Sequence, residues 1–305
     1  MQNTLKVEDL AVHFRSRRGD VKAVDGVSFA VREGERLVFV GESGSGKTVL
    51  AAAIVRLLPK NAVVRGRILF GEEDLLKVDE GRMREIRNRE IAYIPQSQSS
   101  LNPVMKVGFQ CAEPLVEQGW KKSTALEKVA KLFEFFGVGG RVKDFPHRLS
   151  GGMRQRTLLV MGIAREPKLI IADEPTKGLD ALMREQVVEA FQKLGKRSML
   201  IITHDLPFAE KVGDRVAVMY CGKIVEISPS KTFFDSPLHP YSRELLESLP
   251  ERGLKPIKGF QPSLINLPEG CRFRERCEFS GEECRVEPPL LKFRHSLVRC
   301  WLHAD

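Results

Sequence analysis

The sequence predicts an α/β fold: a phosphate-loop core with an antiparallel β portion, a helical insertion and a small cysteine-rich C-terminal module. Four observations carry that expectation. The apolar run Leu37-Val38-Phe39-Val40 leads directly into Gly41-Glu42-Ser43-Gly44-Ser45-Gly46-Lys47-Thr48, which matches G-x-x-x-x-G-K-[ST]. Leu50, Ile54, Leu57 and Leu58 follow at helical spacing until Pro59, so the loop sits between a strand and a helix, as the motif requires. The α/β pattern then lapses between about residues 97 and 165 and resumes with Leu169-Ile170-Ile171-Ala172-Asp173. Finally, Cys271, Cys277, Cys284 and Cys300 crowd the C-terminal end, whereas Cys111 and Cys221 stand alone and read as small buried residues.

Composition bounds the class. With 305 residues the chain can bury a large core and carry an appendage. Its mean hydropathy is −0.20. The longest apolar run, Leu158 to Ala164, falls far short of the roughly 18 residues a membrane span needs. Met1-Gln2-Asn3-Thr4-Leu5-Lys6 lacks the apolar centre of a signal peptide, so the chain reads as cytosolic. The formal charge of +9 admits nucleic acid, an anionic membrane surface or phosphates. Its scatter, with only short clusters such as Arg15-Ser16-Arg17-Arg18, favours a solvated basic surface near a membrane over a nucleic-acid groove.

Taken in order, Leu5-Val7-Leu10, Val21-Ala23, Val27-Phe29-Val31 and Leu37 to Val40 read as strands, with turns at Arg17-Arg18-Gly19-Asp20 and Glu33-Gly34. In the insertion, Thr124-Ala125-Leu126-Glu127 reads as a capping box. Leu126, Val129, Ala130 and Phe133 line one helical face before Gly137. A helix is expected near 181–194, a strand at Met199 to Thr203, strands over 215–227, and a last helix from His239-Pro240-Tyr241 to about Leu249. Beyond Pro250, prolines recur with little periodicity, as in a loop-rich module held by something other than a core. The expected division is residues 1–250 and 251–305.

The chemistry follows from residue types. Gly41, Gly44 and Gly46 keep side chains away from successive N–H groups that can wrap an anion; Ser43 and Ser45 complete the loop. Lys47 adds positive charge for the β- and γ-phosphates, and Thr48 an oxygen for Mg²⁺. Asp173 and Glu174 end a strand, which alone could be a solvated strand end. Beside a phosphate loop, Asp173 suits Mg²⁺ through water and Glu174 suits a general base for the attacking water. Ser150-Gly151-Gly152 offers a second anion nest at a helix start. The C-x5-C-x6-C-x15-C spacing of the tail suits zinc or an iron–sulfur cluster, with four unliganded thiols as the plain alternative.

The order phosphate loop, Gln96, Leu149-Ser150-Gly151-Gly152, Asp173-Glu174, Asp180 and His204 resembles the nucleotide-binding subunit of ATP-binding-cassette (ABC) transporters over roughly residues 4 to 250. That resemblance implies a RecA-like core that binds ATP and Mg²⁺. It implies that Gln96 touches the metal or the attacking water, with Gln98 as rival, and that His204 senses the γ-phosphate. It implies that Phe14 stacks on adenine, and that Ser150, Gly151, Gly152 and Asp180 act across a head-to-tail dimer of ATPase subunits. Gly178 stands where family members usually have Ala. His239-Pro240-Tyr241, Pro262 to Pro268, Gly270-Cys271-Arg272-Phe273 and Cys300-Trp301 are similar to the C-terminal region of dipeptide and oligopeptide importer ATPases. This closer resemblance implies a four-iron–four-sulfur cluster on Cys271, Cys277, Cys284 and Cys300, with zinc as the alternative.

The expected function is then ATP hydrolysis powering import of peptides, oligosaccharides or similar solutes, from the cytoplasmic face of the membrane. The expected partners are a second ATPase subunit, identical or paralogous, two transmembrane permease subunits and an external solute-binding protein, without nucleic acid. The rival is an ABC-type ATPase acting on nucleic acid or ribosomes, because the same cassette serves several tasks.

Overall fold

The computed structural model describes residues 2–97 and 100–304, which form two compact units: Met1–Lys77 with Ile202–Asp305, and Val78–Ile201. The expected rival Gln98 lies outside the described residues.

In the first unit, β1 (Asn3–Phe14) and β2 (Val21–Arg32) pair as a long antiparallel ribbon. The short alternating pieces read from sequence merge into these two strands. The merger is possible because register shifts along the ribbon keep Leu5, Val7, Leu10 and Val12 all buried. β4 (Ala62–Phe70) and β5 (Glu73–Asp74) extend this sheet in the order β2-β1-β4-β5. A second, mixed sheet is built on β3 (Arg36–Val40), which runs parallel to β9 (Arg215–Tyr220). β10 (Lys223–Pro229) is antiparallel to β9. The hairpin β11 (Leu291–Phe293) and β12 (Ser296–Val298) then adds to β10. Helix α1 (Lys47–Ile54) starts inside the phosphate loop and stops short of the expected Pro59 end, because Arg56 adopts a left-handed backbone at φ 53°.

The C-terminal residues are held by a core after all. Phe273 is fully buried and meets Tyr220 and Tyr241 with ring centroids 5.3 and 5.4 Å apart, and those two tyrosines meet at 4.6 Å. An ion-pair network fastens the same segment to the strands. Arg272 pairs with Asp25 and donates to the Cys221 carbonyl, and Lys223 bridges Asp25 and Glu287 at 3.8 and 2.7 Å. Burial pushes the Asp25 carboxyl up, but the Arg272 and Lys223 cations outweigh it and hold its pKa below the ordinary value. The buried carboxylate of Glu226 accepts from the backbone N–H groups of Leu238 and His239, which fixes the turn between α8 (Ser230–Asp235) and α9 (Pro240–Glu247).

In the second unit, β8 (Ser198–Ile202), β7 (Leu169–Asp173) and β6 (Ile91–Ile94) lie side by side, with β6 and β7 parallel. α2 (Glu80–Arg89) packs on β6. α3 (Val107–Glu117), α4 (Lys122–Phe135) and α5 (Gly151–Ile163) form the helical portion, followed by α6 (Ala181–Lys193). Thr124 is not a cap. Lys121 already holds the extended N-cap geometry at ψ 135°, so Thr124 sits inside the first turn of α4. Among the described residues no helix is long and apolar enough to cross a membrane.

Candidate functional site

The phosphate loop of the first unit is tightly determined. Gly41 and Gly46 have φ of 147° and 106°, and a Cβ on either would run into backbone carbonyl oxygens, those of Met219 and Ala23 respectively. The loop therefore lies directly against strand backbone, and only glycine fits. The buried Lys47 ammonium donates to the carbonyls of Gly41 and Glu42 at 2.7 and 2.9 Å and to the Ser45 hydroxyl at 3.1 Å. Ser43, Gly44 and Thr48 face solvent, at the end of α1 where the helix dipole is positive. Phe14 ends β1 half-buried. His204 is solvent-exposed just after β8 and before Asp205, whose side chain caps α7 (Leu206–Val212) by accepting from Phe208 N–H at 3.0 Å.

The second unit brings together a different set. Asp173 closes β7 almost fully buried, and its Oδ2 accepts from the Tyr93 hydroxyl at 3.3 Å. Burial first, then the Asp173 charge, pushes the Tyr93 phenol up, so that it stays a hydrogen-bond donor. Glu174 follows, buried, with a left-handed φ of 50° that a non-glycine residue adopts only under constraint. Gln96 is half-buried in the turn after β6.

Ser150 is the N-cap of α5 and accepts from Met153 N–H at 3.3 Å, leaving Ser150 exposed and Gly152 against the Met183 side chain. Arg156, one turn further, donates to the carbonyls of Phe136 and Gly137 and to Gln186 Oε1. These bonds tie the start of α5 to the end of α4 and to α6. Asp180 is the exposed N-cap of α6, accepting from Met183 N–H at 2.8 Å. Gly178, at φ 73°, supplies the turn before it.

Sequence reasoning missed the roles of Tyr93 and Arg156, and of Tyr241 and Arg276 as partners of Glu42 in the loop. Tyr93 lies on the strand ahead of Gln96, and a hydroxyl there was the one available signal.

Comparison with known proteins follows the same lines. The family described as ABC transporter matches residues 24–177, and the oligopeptide/dipeptide transporter C-terminal region matches residues 225–284. The oligopeptide transport ATP-binding protein OppD of Bacillus subtilis is 42% identical over 99% of this chain and 89% of its own length. The chain belongs to the ABC transporter family. Within it, the chain is an ATP-binding subunit of the oligopeptide/dipeptide type, and an ATPase. The dipeptide transport ATP-binding protein DppD of Bacillus subtilis is 40% identical, over 99% of this chain and 95% of its own. In Haemophilus influenzae, OppD is 37% identical over 100% and 99%. The fold agrees with the cassette MJ0796, solved as a dimer in a post-hydrolysis state with ADP and Pi. That match has a TM-score of 0.68 at 22% identity and covers 74% of this chain and 98% of the other. CbiO1 of Clostridium perfringens has a TM-score of 0.67 at 24% identity, over 77% and 92%.

One expectation is corrected. Cys271, Cys277, Cys284 and Cys300 do line one small pocket. Among the described residues, however, no group of three or more His, Cys, Asp or Glu is disposed to hold a metal ion. The four-iron–four-sulfur cluster, and zinc as its alternative, are therefore not supported. The aromatic cluster around Phe273 does the work that ligation was expected to do.

Proposed function

We propose that this subunit powers peptide uptake through a membrane importer. The observation that carries the reading is near full-length identity, 37 to 42%, to ATP-binding proteins named for oligopeptide and dipeptide transport. Oligosaccharides, part of the expectation from sequence, gain nothing from these relatives, and neither does the rival reading of an ATPase acting on nucleic acid or ribosomes. The partners would be a second ATP-binding subunit, identical or paralogous and set head to tail, two permease subunits and an external solute-binding protein. The dimer solved for MJ0796 supports the first of these. The protein would then sit peripherally on the cytoplasmic side of the membrane.

Residues 1–250 would act as the nucleotide-binding domain, with residues 97–165 as its helical insertion. Residues 251–305 would act as a brace upon it. Within the domain, Ser43, Ser45 and the glycines of the phosphate loop would hold the ATP phosphates together with Lys47, and Phe14 the adenine. Ser150, Gly151, Gly152 and Asp180 would meet nucleotide held by the partner subunit. Magnesium suits the donors present, since the exposed Thr48 hydroxyl, the Asp173 carboxylate and the Gln96 amide are hard oxygen ligands. The ion would neutralise phosphate charge. Glu174 would orient the attacking water and take its proton, and His204 would report the γ-phosphate.

The test is Glu174→Gln, which keeps size and hydrogen bonding and removes the base. ATP affinity should stay at the parent value while hydrolysis falls by about 10²- to 10⁴-fold, and an ATP-dependent dimer should accumulate on size analysis. Hydrolysis at the parent rate would take Glu174 out of the mechanism.

A further inference from the structure

The second residue of the phosphate loop is held from the far end of the chain. Glu42 N–H donates to the Tyr241 hydroxyl at 2.8 Å. Its carboxylate receives both terminal nitrogens of Arg276, Nη1 on Oε2 at 2.8 Å and Nη2 on Oε1 at 3.1 Å. Its carbonyl accepts from Lys47. One loop peptide is thus pinned on its N–H, its side chain and its C=O.

Arg276 is itself built in. Its side chain is 4% exposed; Nε donates to the Lys258 carbonyl at 2.7 Å and Nη1 also donates to the Tyr220 hydroxyl at 3.2 Å. The guanidinium lies 5.7 Å from the ring centres of both Tyr220 and Phe273. Gln261, from the same C-terminal stretch, approaches the outer side of Gly44. A forked pair of this kind, buried at its guanidinium end, fixes geometry as well as charge.

Charge gives the pair a consequence. Glu42 sits one residue into a loop whose task is to bind a polyanion, and an unpaired carboxylate there would repel phosphate. We propose that Arg276 is a positioning residue for nucleotide binding: by neutralising and orienting Glu42, it makes the affinity of the phosphate loop depend on the C-terminal segment. The inference rests on the reading of residues 41–48 as the nucleotide loop. It assigns Arg276 no contact with nucleotide.

The experiment is ATP binding to the full chain, measured by competition with a fluorescent ATP analogue, alongside thermal unfolding. Arg276→Ala should weaken ATP affinity about tenfold, the size of effect expected for an uncompensated charge at a binding loop. Arg276→Lys, which keeps the charge without the fork, should fall between the two. Adding Glu42→Gln to Arg276→Ala should recover most of the affinity, because the offending charge is gone, and no general loosening of the fold would be repaired that way. In hydrolysis assays the single variant should raise KM for ATP more than it lowers kcat.

If Arg276→Ala unfolds, Arg276→Lys and Glu42→Gln against the parent still give the comparison. Parent affinity in Arg276→Ala, or a loss that Glu42→Gln does not relieve, overturns the proposal. Lys47→Ala serves as the separate control: its failure to lose ATP would overturn the reading of the loop instead.

Discussion

The phosphate loop and the Ser150-Gly151-Gly152 turn both open a helix and are both proposed to meet phosphate, yet they are built in opposite ways. The loop is enclosed. Lys47 is buried, two of its glycines abut backbone carbonyls, and Glu42 is clamped by Arg276 and Tyr241. The turn is open at its tip. Ser150 is exposed and spends its acceptor on Met153 N–H, while rigidity comes from behind, where Arg156 ties α5 to its neighbours. A site completed within one chain needs a closed cradle. A site meant to meet something outside the chain needs a stiff, presented tip, and the turn has that form.

The largest effect should come from breaking the enclosed nest. Lys47→Ala removes the buried ammonium at the centre of the loop and should weaken ATP binding by at least about 100-fold, and hydrolysis with it; equilibrium binding to the purified subunit checks this. The matched change at the open nest, Ser150→Arg, should leave ATP affinity of the isolated subunit within about twofold and abolish hydrolysis in the assembled transporter. An equal loss of binding in the isolated subunit would erase the distinction between the two nests.

Two glycine substitutions sharpen the comparison further. Gly46→Ala combines a forbidden φ with a carbonyl clash and should cost about 2–4 kcal/mol of stability. Gly152→Ala meets only the flexible Met183 side chain, at 3.1 Å, and gains helix propensity, so its net effect should stay within about 1 kcal/mol. Chemical denaturation of both variants reads the difference.

A further effect is one of pH. Burial, then the neighbouring His303, depresses the His239 imidazole from 6.5 to about 3, and its Nδ1 accepts from Tyr241 N–H at 3.0 Å. The unfolded chain therefore takes up the proton first. Stability is full above about pH 6.5 and declines as pH falls from there toward 3. Hydrogen exchange should report weaker protection around α9 and Glu42 at pH 5 than at pH 7, with α5 not following that titration.

Much of this was legible in the chain. A glycine loop between an apolar strand and a helical repeat has one local geometry, so residues 37–54 could be read nearly as they fold. Asp173 and Glu174 at the end of a buried strand were equally plain. What escaped reading was non-local. Nothing in the spacing joins Arg276 to Glu42, or Tyr93 to Asp173, because both pairings depend on how distant strands and turns stack. The cysteines misled for the same reason: their clustering in sequence is conspicuous, whereas the Tyr220–Tyr241–Phe273 contact that holds the segment is spread over three separate stretches. Thr124 shows a smaller version, in which a correct cap signature lost to a helix that starts earlier.

The short hairpin of β11 and β12 bears on how the protein behaves in a crowded solution. β12 covers the edge of β10 at Glu226 and Ile227, and the new edge is a strand of three residues with Lys292 exposed at its centre. So brief and charged an edge is a poor template for another chain. A protein cut after residue 250 would present the longer β10 edge instead, and would self-associate as well as lose the Arg276 clamp on Glu42.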